Sequence, residues 1–119
     1  MAKKKKKQTE GINISPQAIA SVVASAAIEC YGVVGLSAKN SLSERVDKLL
    51  GKKNFSQAVI CEKDKKGTYS VDLYIVVASE TKITEVILEV QKKVSYVVDK
   101  TFSIKGIKVN VYVQGVLEN

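Results

Sequence analysis

Thr68-Tyr69-Ser70-Val71-Asp72-Leu73-Tyr74-Ile75-Val76-Val77-Ala78 is the stretch on which the fold turns. Side chains alternate across a strand. Val71, Leu73, Ile75 and Val77 therefore share one face, and Asp72, Tyr74 and Val76 share the other. Just before it, Asp64-Lys65-Lys66-Gly67 has the residues of a hairpin turn, so Gln57 to Lys63 reads as its partner strand. Near the end of the chain Ile107, Val109, Val111 and Val113 alternate with Lys108, Asn110, Tyr112 and Gln114, which predicts a strand over 107–116.

Between and before these strands the apolar period changes to that of a helix. Ile83, Val86, Ile87, Val90, Val94, Val97 and Val98 form one stripe, predicting a helix over 82–100 with Thr81 as its cap. Glu89 and Lys93 stand four apart on its wet face. An earlier helix opens at Ser15-Pro16, a capping residue followed by a proline suited to the first helical position. Ile14 and Ile19 are spaced to staple that cap. Ile19, Val22, Val23, Ala26, Ala27 and Cys30 make its buried stripe, and Gly32 ends it. Ser43 to Gly51 reads as a short amphipathic helix, Lys52 to Phe55 as loop, and Ile12 to Ile14 as a short strand. Residues 1–10, with five consecutive lysines and no apolar residue beyond Met1 and Ala2, are expected to be a disordered tail.

The order is helix, short helix or loop, strand, strand, helix, strand. Each major helix has one apolar stripe and each strand one apolar face. Residues 11–119 are therefore expected to be one α/β domain of the α+β kind. Its architecture is a two-layer sandwich, with both main helices on one face of a small mixed sheet of three to four strands. Val23, Ala27, Ile75, Val90 and Val111 are its expected core. The other sheet face carries Asp72, Tyr74, Asn110, Tyr112 and Gln114. That face reads equally as a partner surface or as a solvated one.

Composition narrows the chemistry. The chain contains no histidine, which removes Ser-His and Cys-His nucleophile pairs and histidine metal sites. Cys30 and Cys61 are too few for a structural zinc site and read as reduced core thiols. Glu29 and Asp72 adjoin apolar patterns, but neither has a second carboxylate at a predictable position. No phosphate or dinucleotide fingerprint is present. No catalytic residue, metal or cofactor is expected, and the chain reads as a binding protein.

Of the net charge of +7, Lys3, Lys4, Lys5, Lys6 and Lys7 supply five. Such a tail binds nucleic acid phosphates or an anionic lipid surface, or is merely solvated. Gly32-Val33-Val34-Gly35 matches the GxxG loop of KH modules, so a small KH-like RNA-binding protein is the alternative reading. Valines suit an exposed phosphate clamp poorly, and a chain reversal after a helix cap explains them better. No apolar run reaches membrane-spanning length and none follows the lysines, so a cytoplasmic protein is expected.

Gly11, Ile12, Ile14, Ser15 and Pro16, then Ala26, Ala27 and Glu29, then Tyr31, Gly32, Val33 and Gly35 together resemble the opening signature of the alkaline shock protein family. Val71 to Val77 is similar to its central strand. Ile83, Glu85, Val86, Val90, Gln91 and Val94 are similar to its second half, as are Val109-Asn110-Val111, Val113, Gln114, Gly115 and Val116. Lys53-Asn54-Phe55-Ser56 resembles the short YloU-like branch. The likeness spans residues 11–117. It departs at Ser79-Glu80, where the family often has Tyr-Gly, and at Phe102-Ser103-Ile104, where it often has Thr-Gly-Leu. The resemblance implies a cytoplasmic, mostly Gram-positive protein of the envelope stress response and cell-envelope homeostasis. It further implies a scaffold working through protein partners, one of them membrane-anchored in some members, at the inner face of the membrane. Self-association is compatible with it. The family implies no catalytic residue to carry over. The partner surface is then expected at Tyr74, Tyr112, Asp72 and Asn110, and failing that around Lys52, Lys53 and Phe55.

Overall fold

Tyr69–Ala78, the central strand β3, is bonded along both edges. The structure, a computed structural model, describes residues 14–39 and 52–118. In chain order these form helix α1 (Pro16–Ile28), strand β1 (Val33–Leu36), a 3-10 helix (Lys52–Ala58), β2 (Val59–Lys63), β3, helix α2 (Ile83–Phe102) and β4 (Lys108–Leu117). β2 runs antiparallel to Tyr69–Leu73 of β3, and β1 antiparallel to Ile75–Val77. The two short strands thus lie end to end along one edge. β4 runs parallel to β3 along the other, which α2 makes possible by crossing over between them. The sheet is mixed and four-stranded, with both helices on one face.

The core lies between those layers. Val71, Leu73, Ile75 and Val77 have no exposure, and neither do Ile19, Val23, Ala24 and Ala27 of α1 or Val90, Val94 and Val98 of α2. Val111 was expected among them but is only half-buried, because β4 lies at the margin of the helical layer.

The helix ends follow side-chain chemistry with two departures. Ser15 Oγ accepts hydrogen bonds from the backbone N–H groups of Gln17 (3.1 Å) and Ala18 (3.2 Å), with Pro16 next to it. Regular α1 stops at Ile28, before Gly32, and a turn covers the remaining residues. Thr81 is not the cap of α2. That position is Lys82, and the Thr81 hydroxyl instead donates to the Ala78 carbonyl at 2.7 Å, tying the turn from β3.

Val33–Leu36 is a strand, not a chain reversal or a GxxG loop. Its pairing to β3 slips at Val34 and Gly35, and Val33, Gly35 and Leu36 are buried. Four residues, one of them Gly35, are too few to show a period. Backbone engaged in a sheet offers no nucleotide clamp of the KH kind. Lys52 to Phe55, read as loop, begins the 3-10 helix, and β2 starts later than expected, at Val59. The hairpin turn is as read: Asp64 Oδ1 accepts from the N–H groups of Lys66 (2.9 Å) and Thr68 (2.8 Å). The helix expected over 43–51, the tail of residues 1–10 and Ile12 and Asn13 lie outside the described residues.

Of the positive-φ positions, Gly32 and Ser103 call for opposite explanations. Gly32 has φ +92°, and a Cβ there would stand 2.6 Å from Val86 Cγ2, so only glycine lets the chain pass α2. Ser103, after α2, has φ 60° with its N–H on the Asp99 carbonyl at 2.8 Å, a left-handed cap usually given to glycine.

Val90→Asp places an unpaired charge in the core, and the variant is expected to lose its cooperative thermal melt by circular dichroism. Gly32→Ala is expected to cost at least about 2 kcal/mol, from left-handed strain and the clash. Ser103→Gly relieves strain without a clash and is expected to gain about 0.5–1 kcal/mol. Urea titration of both variants checks the opposite signs.

Candidate functional site

The face of the sheet turned away from the helices is built by the register of β3 and β4. That register sets Asp72 beside Asn110 and Tyr74 beside Tyr112 on alternate rungs. Asn110 Nδ2 donates to Asp72 Oδ1 at 2.9 Å. The tyrosine rings stack with centroids 5.0 Å apart and planes 16° from parallel. The four residues expected to form a partner surface therefore do lie together.

The next rung is irregular. Ile75 pairs with Val113 but Val76 pairs with Gly115, so Gln114 is an extra residue in β4. Its amide crosses β3 to the far edge, where Nε2 donates to the Ala38 carbonyl at 2.9 Å and approaches Ser37 Oγ at 3.4 Å. Ser37 is fully buried and extends β1, its N–H donating to the Tyr74 carbonyl at 3.1 Å. Gln114 thus clamps the two outer strands together over the central one. Strand alternation had placed Gln114 on this face; the signal for the bulge that turns it across β3 is Gly115, an isolated glycine inside the strand.

Exposure divides the face in two. Tyr112 is 46% exposed and Asn110 is exposed. Tyr74 is only 7% exposed and Val76 4%, although neither belongs to the core between sheet and helices. Tyr74 is accordingly a platform rather than a free anchor, which corrects its expected role as a surface residue. Desolvation, with smaller contributions from Asp72 and Tyr112, holds its phenol above the ordinary range. Asp72 has an amide, not a second carboxylate, beside it.

The remaining reactive groups are dispersed. Burial pushes the Cys30 thiol up, against a smaller opposing pull from Lys93, and its Sγ lies 3.6 Å from the Ala26 carbonyl. Burial likewise pushes Cys61 up, with Glu62 adding to it. Neither is a thiolate near neutral pH. Lys93 pairs with Glu29 of the turn after α1 at 3.1 Å rather than with Glu89, linking the two helices. Among the described residues no three of the histidine, cysteine, aspartate and glutamate side chains gather to hold a metal. Phe55 is half-buried against the core. The side chains of Lys52 and Lys53, and Lys3 to Lys7, lie outside the described residues.

Comparison with known proteins extends this picture. The alkaline shock protein family, described as having a "cell envelope-related function", matches residues 4–118. The chain is 42% identical over 105 residues to YloU of Bacillus subtilis strain 168, covering 88% of this chain and 87% of that one. It is 34% identical over 105 residues to Spy1614 of Streptococcus pyogenes serotype M6, covering 88% and 86%. Both relatives are described as uncharacterized. No solved structure matches.

The division of the face predicts unequal tyrosines. Tyr74→Ala is expected to lower stability by about 3 kcal/mol, as removal of a buried ring does. Tyr112→Ala is expected to cost no more than about 1 kcal/mol, chiefly the lost stack. Equal losses in chemical denaturation would show that Tyr112 is as structural as Tyr74.

Proposed function

Because the chain belongs to the alkaline shock protein family, whose function is related to the cell envelope, we propose that it is a non-enzymatic scaffold of the bacterial envelope stress response. It works in the cytoplasm of Gram-positive cells by binding proteins, and it reaches the inner face of the membrane through a partner. The observation that carries this reading is the exposed pair Asn110 and Tyr112 mounted on Asp72 and the buried ring of Tyr74. A tyrosine stacked on a buried ring of a rigid sheet offers apolar area and a hydroxyl at little entropic cost, which is what an interface anchor needs. The neighbouring amide and carboxylate supply directional polar contacts.

The chemistry of the remainder supports binding over catalysis. There is no histidine, both thiols are pushed towards the protonated form, and Asp72 has no carboxylate partner. Among the described residues no helix is long and apolar enough to cross a membrane. Attachment there falls to a partner protein, with Lys3–Lys7 adding attraction to anionic lipid of about 1 kcal/mol per lysine near the surface.

In-cell crosslinking of the tagged chain tests this. Asn110→Ala combined with Tyr112→Ala is expected to lose a specific crosslinked protein that the wild type retains. The double variant, still folded, and a deletion of the gene are both expected to sensitise cells to envelope stress. Full retention of crosslinks and stress resistance in the double variant would mean that the face is only solvated.

A further inference from the structure

Charge is sorted along the axis of β3. The strand starts at a tip where the turn after β2, the C-terminal end of α2 and the first residue of β4, Lys108 beside Ser70, come together. Lys63, Lys65, Lys66, Lys100, Lys105 and Lys108 stand at this tip, and all are exposed. Of the carboxylates there, Asp64 accepts the turn's own N–H groups and Asp99 pairs with Lys105 at 3.2 Å, which leaves Glu62. The opposite end, where β3 finishes and α2 begins, has the reverse balance. Glu29, Glu80, Glu85, Glu89 and Glu118 are exposed there against Lys82 and Lys93, and Lys93 is taken by Glu29. α1 ends at Gly32 beside the first turns of α2 and packs back along β2, so the chain enters the fold on the side of the tip. Lys3–Lys7 precede that entry in the sequence. Two tyrosines stand among the lysines of the tip. The Lys63 ammonium lies 5.2 Å from the Tyr69 ring centroid, and the Lys100 ammonium lies 5.6 Å from that of Tyr96, a ring 62% exposed.

We propose that this tip is a docking surface for an anionic lipid bilayer, on which the domain stands with the axis of β3 upright. The inference deepens the envelope reading and rests on it for the choice of surface. β3 is about 30 Å long, several times the ~8 Å screening length at physiological salt. Upright, the glutamates of the far end escape the surface field; inverted, they would be repelled by it. One orientation is therefore selected. Tyrosine rings with lysines over them suit the headgroup level, where an amphipathic ring and a cation both find partners. In this orientation the sheet face carrying Asn110 and Tyr112 stands perpendicular to the bilayer and stays open to a protein.

Nucleic acid fits the tip less well. Its cations are all lysines, without the arginine fork that holds phosphate bidentately. They are spread over a turn, a helix end and a loop rather than along a groove that follows a nucleic acid backbone. The hollow of about 310 Å³ beside Tyr96 is lined by Asp99 together with Lys105, so its cation is already neutralised. The tip therefore responds to charge density rather than to one headgroup.

Flotation of the full chain with phosphatidylcholine vesicles, with and without phosphatidylglycerol or phosphatidylserine, is the test. Binding is expected to the anionic vesicles alone, equally for the two headgroups at equal charge, and to fall as salt rises. Lys65→Glu with Lys66→Glu, and separately Lys100→Glu with Lys108→Glu, are each expected to weaken it at least about tenfold. Lys82→Glu with Lys92→Glu changes the net charge equally but away from the tip, and is expected to weaken it less than about threefold. Circular dichroism confirms that each variant is folded. Equal losses in the tip pairs and the control pair would overturn the proposal, since net charge alone would then account for binding. So would binding that survives both tip pairs, which assigns it to Lys3–Lys7, or tip-dependent binding to single-stranded RNA or duplex DNA without binding to vesicles. The tip pairs leave Asn110 and Tyr112 intact. Failure of vesicle binding with the partner crosslink retained therefore counts against this proposal alone, and the converse counts against the scaffold reading alone.

Discussion

β3 gives hydrogen bonds along both edges while its side chains are buried on both faces. Val71, Leu73, Ile75 and Val77 have no exposure on the helical side, and Tyr74 and Val76 are nearly covered on the other. A strand in that position cannot be displaced without exposing apolar area and orphaning backbone groups on both edges. The other elements are arranged around this constraint. β1 and β2 divide one edge because neither is long enough to fill it. β4 fills the other, and the parallel direction it takes obliges a long crossover, which α2 provides while closing the core. Gly32 lies where the chain leaving α1 must squeeze past α2 to reach β1, a passage that a side chain at that position would block.

The same constraint separates support from recognition on the outer face. Because β3 is bonded on both edges, burial holds Tyr74 in place, and Tyr112 stacks on that ring. Gln114 reinforces this by bonding across β3 to Ala38, so the two edges of the sheet are cross-braced above Val76. An exposed ring on such a base loses little conformational entropy on meeting a partner, since its rotamer is already chosen. The bulge that frees Gln114 for the clamp also interrupts the regular ladder of β4.

Most of this was legible because two periods dominate the chain. Alternation in 68–78 and 107–116 placed Asp72, Tyr74, Asn110 and Tyr112 on one face, and the register joined them as pairs. The stripe from Ile83 to Val98 outweighed the modest helix propensity of its valines. What was not legible depends on contacts distant in sequence. Val33–Leu36 becomes a strand only because Ile75–Val77 has a vacant edge. Gln114 becomes a brace only through the slip at Ile75 and Val76. The depth of Tyr74 escaped for a related reason: parity tells which face a side chain takes, not how much neighbouring side chains cover it. Val111 erred in the opposite sense, since a central place in its own stripe does not make a strand central in the sheet.

The departures from the family pattern fit a domain stabilised at its centre and tolerant at its turns. Ser103 holds the left-handed cap of α2 where the resemblance leads one to expect glycine, and the structure keeps the geometry with strain at one exposed residue. Ser79 and Glu80 replace Tyr-Gly in the turn from β3. There the chain is tied by the Ser79 N–H on the Leu117 carbonyl and the Thr81 hydroxyl on the Ala78 carbonyl, at 3.1 and 2.7 Å. Ser103 is held by a backbone hydrogen bond, and the Ser79–Thr81 turn by one backbone and one threonine hydroxyl bond, so both turns keep their course without the family's glycine. Stability therefore resides in β3 and the two helical stripes. β4 is the exception among the strands. It is parallel, bonded on one side among the described residues, and only half-covered at Val111 and Val113. It is where this fold has most to gain from a neighbour, and it carries the exposed half of the candidate site.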